Sequence, residues 1–277
     1  MIAYSYGAWD VLRAKELEKL DREIQLSKSE GAEHFGLGIY DDNLCEALGL
    51  GKPLKNIDDR MKIMEQIRGV DFVFKISSLQ KDIIKESAEK SYKVYNYYQK
   101  LKSAKKQGKN KKYKLGYVPG TYDLFHAGHL ENLLLAAKDC EKLIVGVKSD
   151  ELVQEHKNRT PILSADERMK ILEHFKFIDK VRIYYVRDPH VAINDIEDIY
   201  GETVGAIYLG SDLKEAFSSY VNDLNIIFTP RPKEKMKERS TTNYRTLYLS
   251  NEKNKKYKGN IKKNKKKTNK NKEIDER

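Results

Sequence analysis

Between Lys114 and Lys138 the chain reads strand, glycine turn, helix, and this junction limits the possible folds more than any other stretch. Lys114 to Val118 has the composition of a short buried strand. Leu130, Leu133, Leu134 and Ala137 then recur at helical spacing on one face. The first N–H groups of such a helix have no partner within it, and with the helix dipole they favour an anion. His126 and His129, three residues apart on the first turn, project to the same side. Gly128 between them leaves room for a ligand to approach the backbone. Zinc could also use two histidines, but no third ligand stands nearby at a usual spacing.

Strand and helix patterns continue in alternation. Lys142–Val147, Lys180–Tyr185, Ala206–Leu209 and Asn225–Thr229 read as strands. Asp166–Phe177, Ile193–Tyr200 and Leu213–Asn222 read as helices, the first capped by Ser164 with Glu167 three residues on. The fold class expected is α/β, a Rossmann-like parallel sheet with helices on both faces. Ligands of such sheets sit at the C-terminal strand ends, where Gly120 to His129 emerges.

The run Gly120-Thr121-Tyr122-Asp123-Leu124-Phe125-His126-Ala127-Gly128-His129 resembles the signature of the nucleotidyltransferase superfamily, and within it the cytidylyltransferases that activate phosphorylated alcohols. The resemblance covers about Tyr113 to Ser250 and implies roles for further residues. His126 and His129 would stabilise charge at the reacting phosphate, and Gly120, Thr121, Tyr122, Asp123 and Gly128 would shape the nucleotide site. Lys157, in the loop after the second strand, would hold the acceptor's phosphate, with Arg159 a weaker candidate and Arg168 lining the site. Gly210 and Asp212 would meet the base or ribose, although Asp212 could equally be an N-cap. Arg231 or Arg239, followed by Ser240, Thr241 and Thr242 at a helix start, would hold the terminal phosphates. The implied reaction joins CTP and a phosphorylated alcohol, with Mg²⁺ accompanying the triphosphate. Glycerol 3-phosphate is the favoured acceptor, ahead of phosphoethanolamine and phosphocholine. An adenylyltransferase would share the histidine pair. Class I aminoacyl-tRNA synthetases have a similar turn but need more chain for reading tRNA, and a non-catalytic binding protein would leave the site unexplained.

The chain also echoes itself. Gly7, Trp9 and Asp10 answer Gly120, Tyr122 and Asp123, and from Gly38 onward the match holds at a constant offset of 108. Pro53 answers Pro161, Arg60-Met61 answers Arg168-Met169, and Val70-Asp71 answers Ile178-Asp179. Arg13 and Glu16 stand where His126 and His129 stand, so residues 1–76 read as a degenerate, inactive half-copy. Residues 77–112 read as a helical, lysine-rich linker whose Ile84, Ala88, Tyr92 and Tyr95 rest on a neighbouring domain. Residues 113–250 form the catalytic domain and 251–277 a disordered basic tail. The family's enzymes are often dimers, so the expected assembly is a pseudo-dimer within the chain or a homodimer.

The net charge of +11 is concentrated in two places. Asn251–Arg277 and Tyr98–Lys114 carry +8 each, and the rest has 33 basic against 38 acidic side chains, near −5. Basic segments of this kind hold anionic surfaces weakly and with strong salt dependence. No apolar run approaches the roughly 20 residues of a membrane helix, and the N-terminus lacks the shape of a signal peptide. With two unpaired cysteines, Cys45 and Cys140, a cytoplasmic protein is expected.

Overall fold

The computed structural model describes residues 1–104, 111–230 and 241–251. The N-terminal unit runs β1 (Ile2–Gly7), α1 (Ala14–Ser29), β2 (His34–Tyr40), α2 (Asp42–Ala47), α3 (Ile57–Met64), β3 (Phe72–Ile76) and α4 (Lys81–Ala104). Its strands form a parallel sheet in the order β1-β2-β3. The larger unit runs β4 (Tyr113–Gly120), α5 (Ala127–Asp139), β5 (Cys140–Lys148), α6 (Asp150–Lys157), α7 (Ala165–Glu173), β6 (Lys180–Tyr184), α8 (Pro189–Tyr200), β7 (Val204–Gly210) and β8 (Ile226–Thr229). These strands form a parallel sheet in the order β6-β5-β4-β7-β8. The chain reverses direction beside β4, so the crevice expected at such a switch point opens at the end of that strand.

Both sheets obey the same local chemistry. Arg168 is 1% exposed and donates to the carbonyls of Leu163, Thr121 and Lys148 and to the Asp150 carboxylate. Arg60, 0% exposed, donates to the carbonyls of Lys55, Ala8 and Tyr40 and to Asp42. Asp179 accepts the Leu143 N–H as Asp71 accepts that of Phe35. Each arginine therefore ties the end of one strand to the turn after another, using acceptors that would otherwise be buried without donors.

The units share one hydrophobic cluster, in which Leu17, Ile63 and Met64 meet Leu133, Leu172 and Phe175. Helix α1 packs on α7 and α3 packs on α5. At the centre Ile67 and Phe175 form an antiparallel bridge. Arg68 N–H donates to His174 O at 2.8 Å, and Lys176 N–H donates to Gln66 O at 3.0 Å. Ile67 and Phe175 stand at the 108 offset, as do Arg68 and Lys176 and also Gln66 and His174, so the contact is reciprocal in the manner of a two-fold interface.

Several elements differ from the sequence expectation. The helix expected at Leu213–Asn222 is absent, and only 3₁₀ turns at Ser211–Leu213 and Ser218–Tyr220 form. Leu213 and Val221 are exposed there while Phe217 packs on the core, so the apolar contact is too narrow to hold a full helix on the sheet. Helix α7 stops at Glu173, short of the expected Phe177, because Phe175 turns into the bridge with Ile67. Asp150–Lys157, read as loop, is a helix capped by Ser149 and ended by Asn158 in the left-handed conformation. Helix α4 does lay Tyr92 and Tyr95 on Phe72 and His34, and it belongs to the N-terminal sheet it covers. Among the described residues no helix is long and apolar enough to cross a membrane.

Removing one buried guanidinium strands a carboxylate and three carbonyls. Arg168→Met is therefore expected to lower the unfolding free energy by about 3–5 kcal/mol, read as a fall in the urea midpoint.

Candidate active site

The site grows from the turn after β4. A Cβ on Gly120 would lie 2.7 Å from the Tyr122 ring, so only glycine fits beneath that side chain. Tyr122 (φ 57°) and Leu124 (φ 49°) both take the left-handed conformation, which non-glycine residues rarely adopt, and so reverse the chain within a few residues. The Tyr122 hydroxyl donates back to Val118 O at 3.0 Å and anchors the turn to its own strand.

His126 occupies the N-cap of α5 and is 4% exposed. Its Nδ1 accepts the Gly128 N–H at 3.1 Å. In the neutral ring the proton then lies on Nε2. That nitrogen is 3.1 Å from Thr241 Oγ1, at the first residue of a helical segment spanning 241–251. The His129 ring stacks on His126 with centroids 3.8 Å apart and is flanked by Tyr122 and Phe125. The fold thus brings His126, His129 and Thr241 together, as the motif order suggested. One N–H of the helix start is spent on His126, which orients the imidazole donor.

Asp123 looks inward. It is 3% exposed and accepts the N–H groups of Ile162 and Leu163, with Arg245 at 3.6 Å. Its carboxylate pins the segment between α6 and α7 beneath the turn. Arg168 likewise spends its guanidinium on the scaffold and does not line the site as expected, because burial forces it to satisfy the carbonyls around it.

A second group of side chains is cationic. Lys157, the last residue of α6, places Nζ 3.5 Å from Thr121 Oγ1. Desolvation holds Lys157 below the usual lysine range, helped by Arg159 and Arg168 and opposed by Asp123 and Asp212. Lys148, at the end of β5, is lowered to about 8 by desolvation and then by Lys157 and Arg187. Its Nζ lies 3.1 Å from His156 Nδ1. Burial, with Lys148 and Arg187, keeps His156 below its ordinary value. Asp150, the carboxylate nearest in sequence, is engaged by Arg168. Positive charges held this close, with little counter-charge, are suited to a multiply charged anion.

Gly210 ends β7 and Asp212 sits in the following 3₁₀ turn, with its charge felt at Lys157. Thr242 is exposed beside Thr241. Arg231, Arg239 and Ser240 lie outside the described residues, as does the basic tail beyond Asn251. Sequence reading missed Lys148, His156 and Arg187. The position of Lys148 at a strand's C-terminal end was a usable signal. It also missed Tyr244, 4% exposed with its ring 5.5 Å from that of His126, and no periodicity marked it.

Among the described residues no group of three His, Cys, Asp or Glu could hold a metal ion. The carboxylates near the histidines already serve backbone N–H groups and arginines.

Known proteins resemble parts of the chain. The chain is 36% identical over 98 residues to a probable ethanolamine-phosphate cytidylyltransferase of Encephalitozoon cuniculi, a match covering 35% of this chain and 30% of that protein. It is 39% identical over 66 residues to an FAD synthase of Pyrococcus horikoshii, covering 24% and 45%. It is 33% identical over 115 residues to the bifunctional protein HldE of Paramagnetospirillum magneticum, covering 39% and 23%. The matches thus span less than half the length of each relative. The family model described as cytidylyltransferase-like matches residues 117–267, more than half of the chain. With the paired histidines at the end of β4 and a parallel sheet that opens there, the chain belongs to the cytidylyltransferase-like family of nucleotidyltransferases.

Proposed function

We propose that this nucleotidyltransferase moves a cytidylyl group from CTP to a phosphorylated alcohol, with glycerol 3-phosphate favoured, and works in the cytoplasm. A phosphate oxygen of the acceptor attacks the α-phosphorus of CTP, the bond to the β-phosphate oxygen breaks, and a CDP-alcohol and pyrophosphate result. The observation that carries this reading is the stacked His126–His129 pair, with Nε2–H of His126 aimed at Thr241, beside the Lys148–Lys157 cluster. In this reading the two imidazoles donate to oxygens on the α-phosphate as charge builds there. Thr241 and Thr242, with Ser240 and Arg231 or Arg239, hold the leaving pyrophosphate. Gly120, Thr121, Tyr122, Asp123 and Gly128 shape the nucleotide pocket, and Asp212 with Gly210 borders its base or ribose. Mg²⁺ would bind chiefly through the triphosphate, where it offsets negative charge.

The cation cluster bears on the acceptor. Lys148, Lys157, Arg187 and His156 suit a phosphate dianion carried on a neutral or acidic body. Phosphocholine and phosphoethanolamine would bring a further cation beside them, which repulsion disfavours. The N-terminal unit serves as a built-in dimer partner, since its contacts with the larger unit are reciprocal. The basic tail adds at most weak contact with anionic surfaces.

Screening glycerol 3-phosphate, phosphoethanolamine and phosphocholine against CTP and ATP, with pyrophosphate release as the readout, tests this directly. Release with CTP and glycerol 3-phosphate is expected. Silence across the panel would sink the reading, and a preference for ATP would turn it toward the adenylyl transfer suggested by the FAD synthase likeness. His129→Ala should reduce kcat by about 10²- to 10⁴-fold with the urea midpoint little changed.

Acceptor affinity should also follow the Lys148 charge, which is present below and lost above a pKa of about 8. The KM for the acceptor should therefore start to rise as pH climbs through about 8 and level off at a higher pH, because the bound anion favours the ammonium and raises its pKa in the complex. Lys148→Arg should remove the rise, whereas Lys148→Met should raise KM at every pH and flatten the profile.

A further inference from the structure

The turn that lost its histidines has acquired contacts of its own, and they lead to the helical segment 241–251. Arg13 stands where the larger unit has His126. Its Nη2 donates to the Tyr248 hydroxyl at 2.7 Å, and its Nη1 lies 3.5 Å from Glu167. Lys55 stands where the larger unit has Leu163. Lys55 is 2% exposed, donates to the Asp10 carbonyl, and lies 5.6 Å from the centre of the Tyr244 ring. Burial lowers its pKa, and Asp10 acts against that shift.

Tyr244 and Tyr248 are four residues apart and share one face of the helix with Thr241 and Arg245. Thr241 meets His126 at 3.1 Å, and Arg245 lies 3.6 Å from Asp123. One stripe of the helix thus touches the working turn at its start and the N-terminal unit further along. A buried ammonium over an aromatic face and a charge-assisted hydrogen bond are both strong for their size.

We infer that Arg13 and Lys55 are positioning residues for the nucleotide half of the site: they hold the helix that sets Thr241 against His126. The inference rests on the reading of that site as the CTP site. It gives the N-terminal unit a task beyond stability, since a histidine position that no longer meets substrate now fixes the partner of the histidine that does.

The experiment measures hydrogen–deuterium exchange at 241–251 together with KM for CTP and for glycerol 3-phosphate in the full chain. Arg13→Ala should speed exchange in that helix and raise the KM for CTP roughly five- to tenfold, the scale of one such hydrogen bond. The acceptor's KM should stay within about twofold, because none of these residues reaches the cation cluster. Tyr248→Phe removes only the accepting hydroxyl and should reproduce the effect. The double variant should be no worse than either single one. Arg13→Lys should recover part of the CTP affinity. An unchanged CTP KM, or a loss shared equally by both substrates, would overturn the inference. Faster exchange in Arg13→Ala with no CTP turnover by the wild type would instead fault the nucleotide reading and leave the grip on the helix standing. Unchanged exchange would remove the grip itself.

Discussion

Arg168 donates from a position 1% exposed to the carbonyls of Thr121, Lys148 and Leu163 and to Asp150, and those acceptors belong to three segments that border the site. A charged group can be buried only if it is paired and its donors are used. The turn after β4, the end of β5 and the segment before α7 must therefore keep one geometry if the guanidinium is to stay inside. The histidine pair, Lys148 and Lys157 all hang from pieces tied at this point. Arg60 makes the matching set of bonds in the N-terminal unit, where no histidine pair follows. The same framework can thus stand with or without chemistry on it.

The acids near the site are spent on the scaffold. The buried carboxylate of Asp123 accepts backbone N–H groups, and the half-buried Asp150 accepts from Arg168. Lys157 and Arg187 stand close enough to Lys148 to depress it, while Asp123 and Asp212 act on Lys157 in the opposite sense. Cations grouped in this way raise the local potential for an anion. The cost is a half-buried ammonium among like charges, and the pKa of Lys148 is depressed first by desolvation and then by Lys157 and Arg187.

Much of this was legible beforehand because it is local. The strand–turn–helix at Gly120–His129, the Ser164 cap and the alternation that makes the sheet parallel all depend on neighbours in sequence. The stripe on α4 was legible for the same reason, since Ile84 and Ala88 repeat at helical spacing and are buried. What failed was context. Leu213–Asn222 has a plausible helical pattern but packs on the core chiefly through Phe217, and Asp150–Lys157 is helical although the family resemblance suggested a loop. The direction in which Asp123 and Arg168 face could not be read from the motif that contains each.

The residues alone determined that a parallel α/β unit with two histidines at a helix start lies in the second half of the chain, and that Arg13 and Glu16 rather than histidines follow the turn at Gly7 in the first half. Period and turn chemistry act over a few residues and survive in any context that keeps the core dry. Only the tertiary structure decided that Ile67 and Phe175 meet at the centre of a reciprocal interface, that Lys148 joins Lys157, and that Arg13 reaches Tyr248. Those contacts join residues up to 235 positions apart. They are set by how two sheets bury a shared apolar face, and no local pattern encodes that.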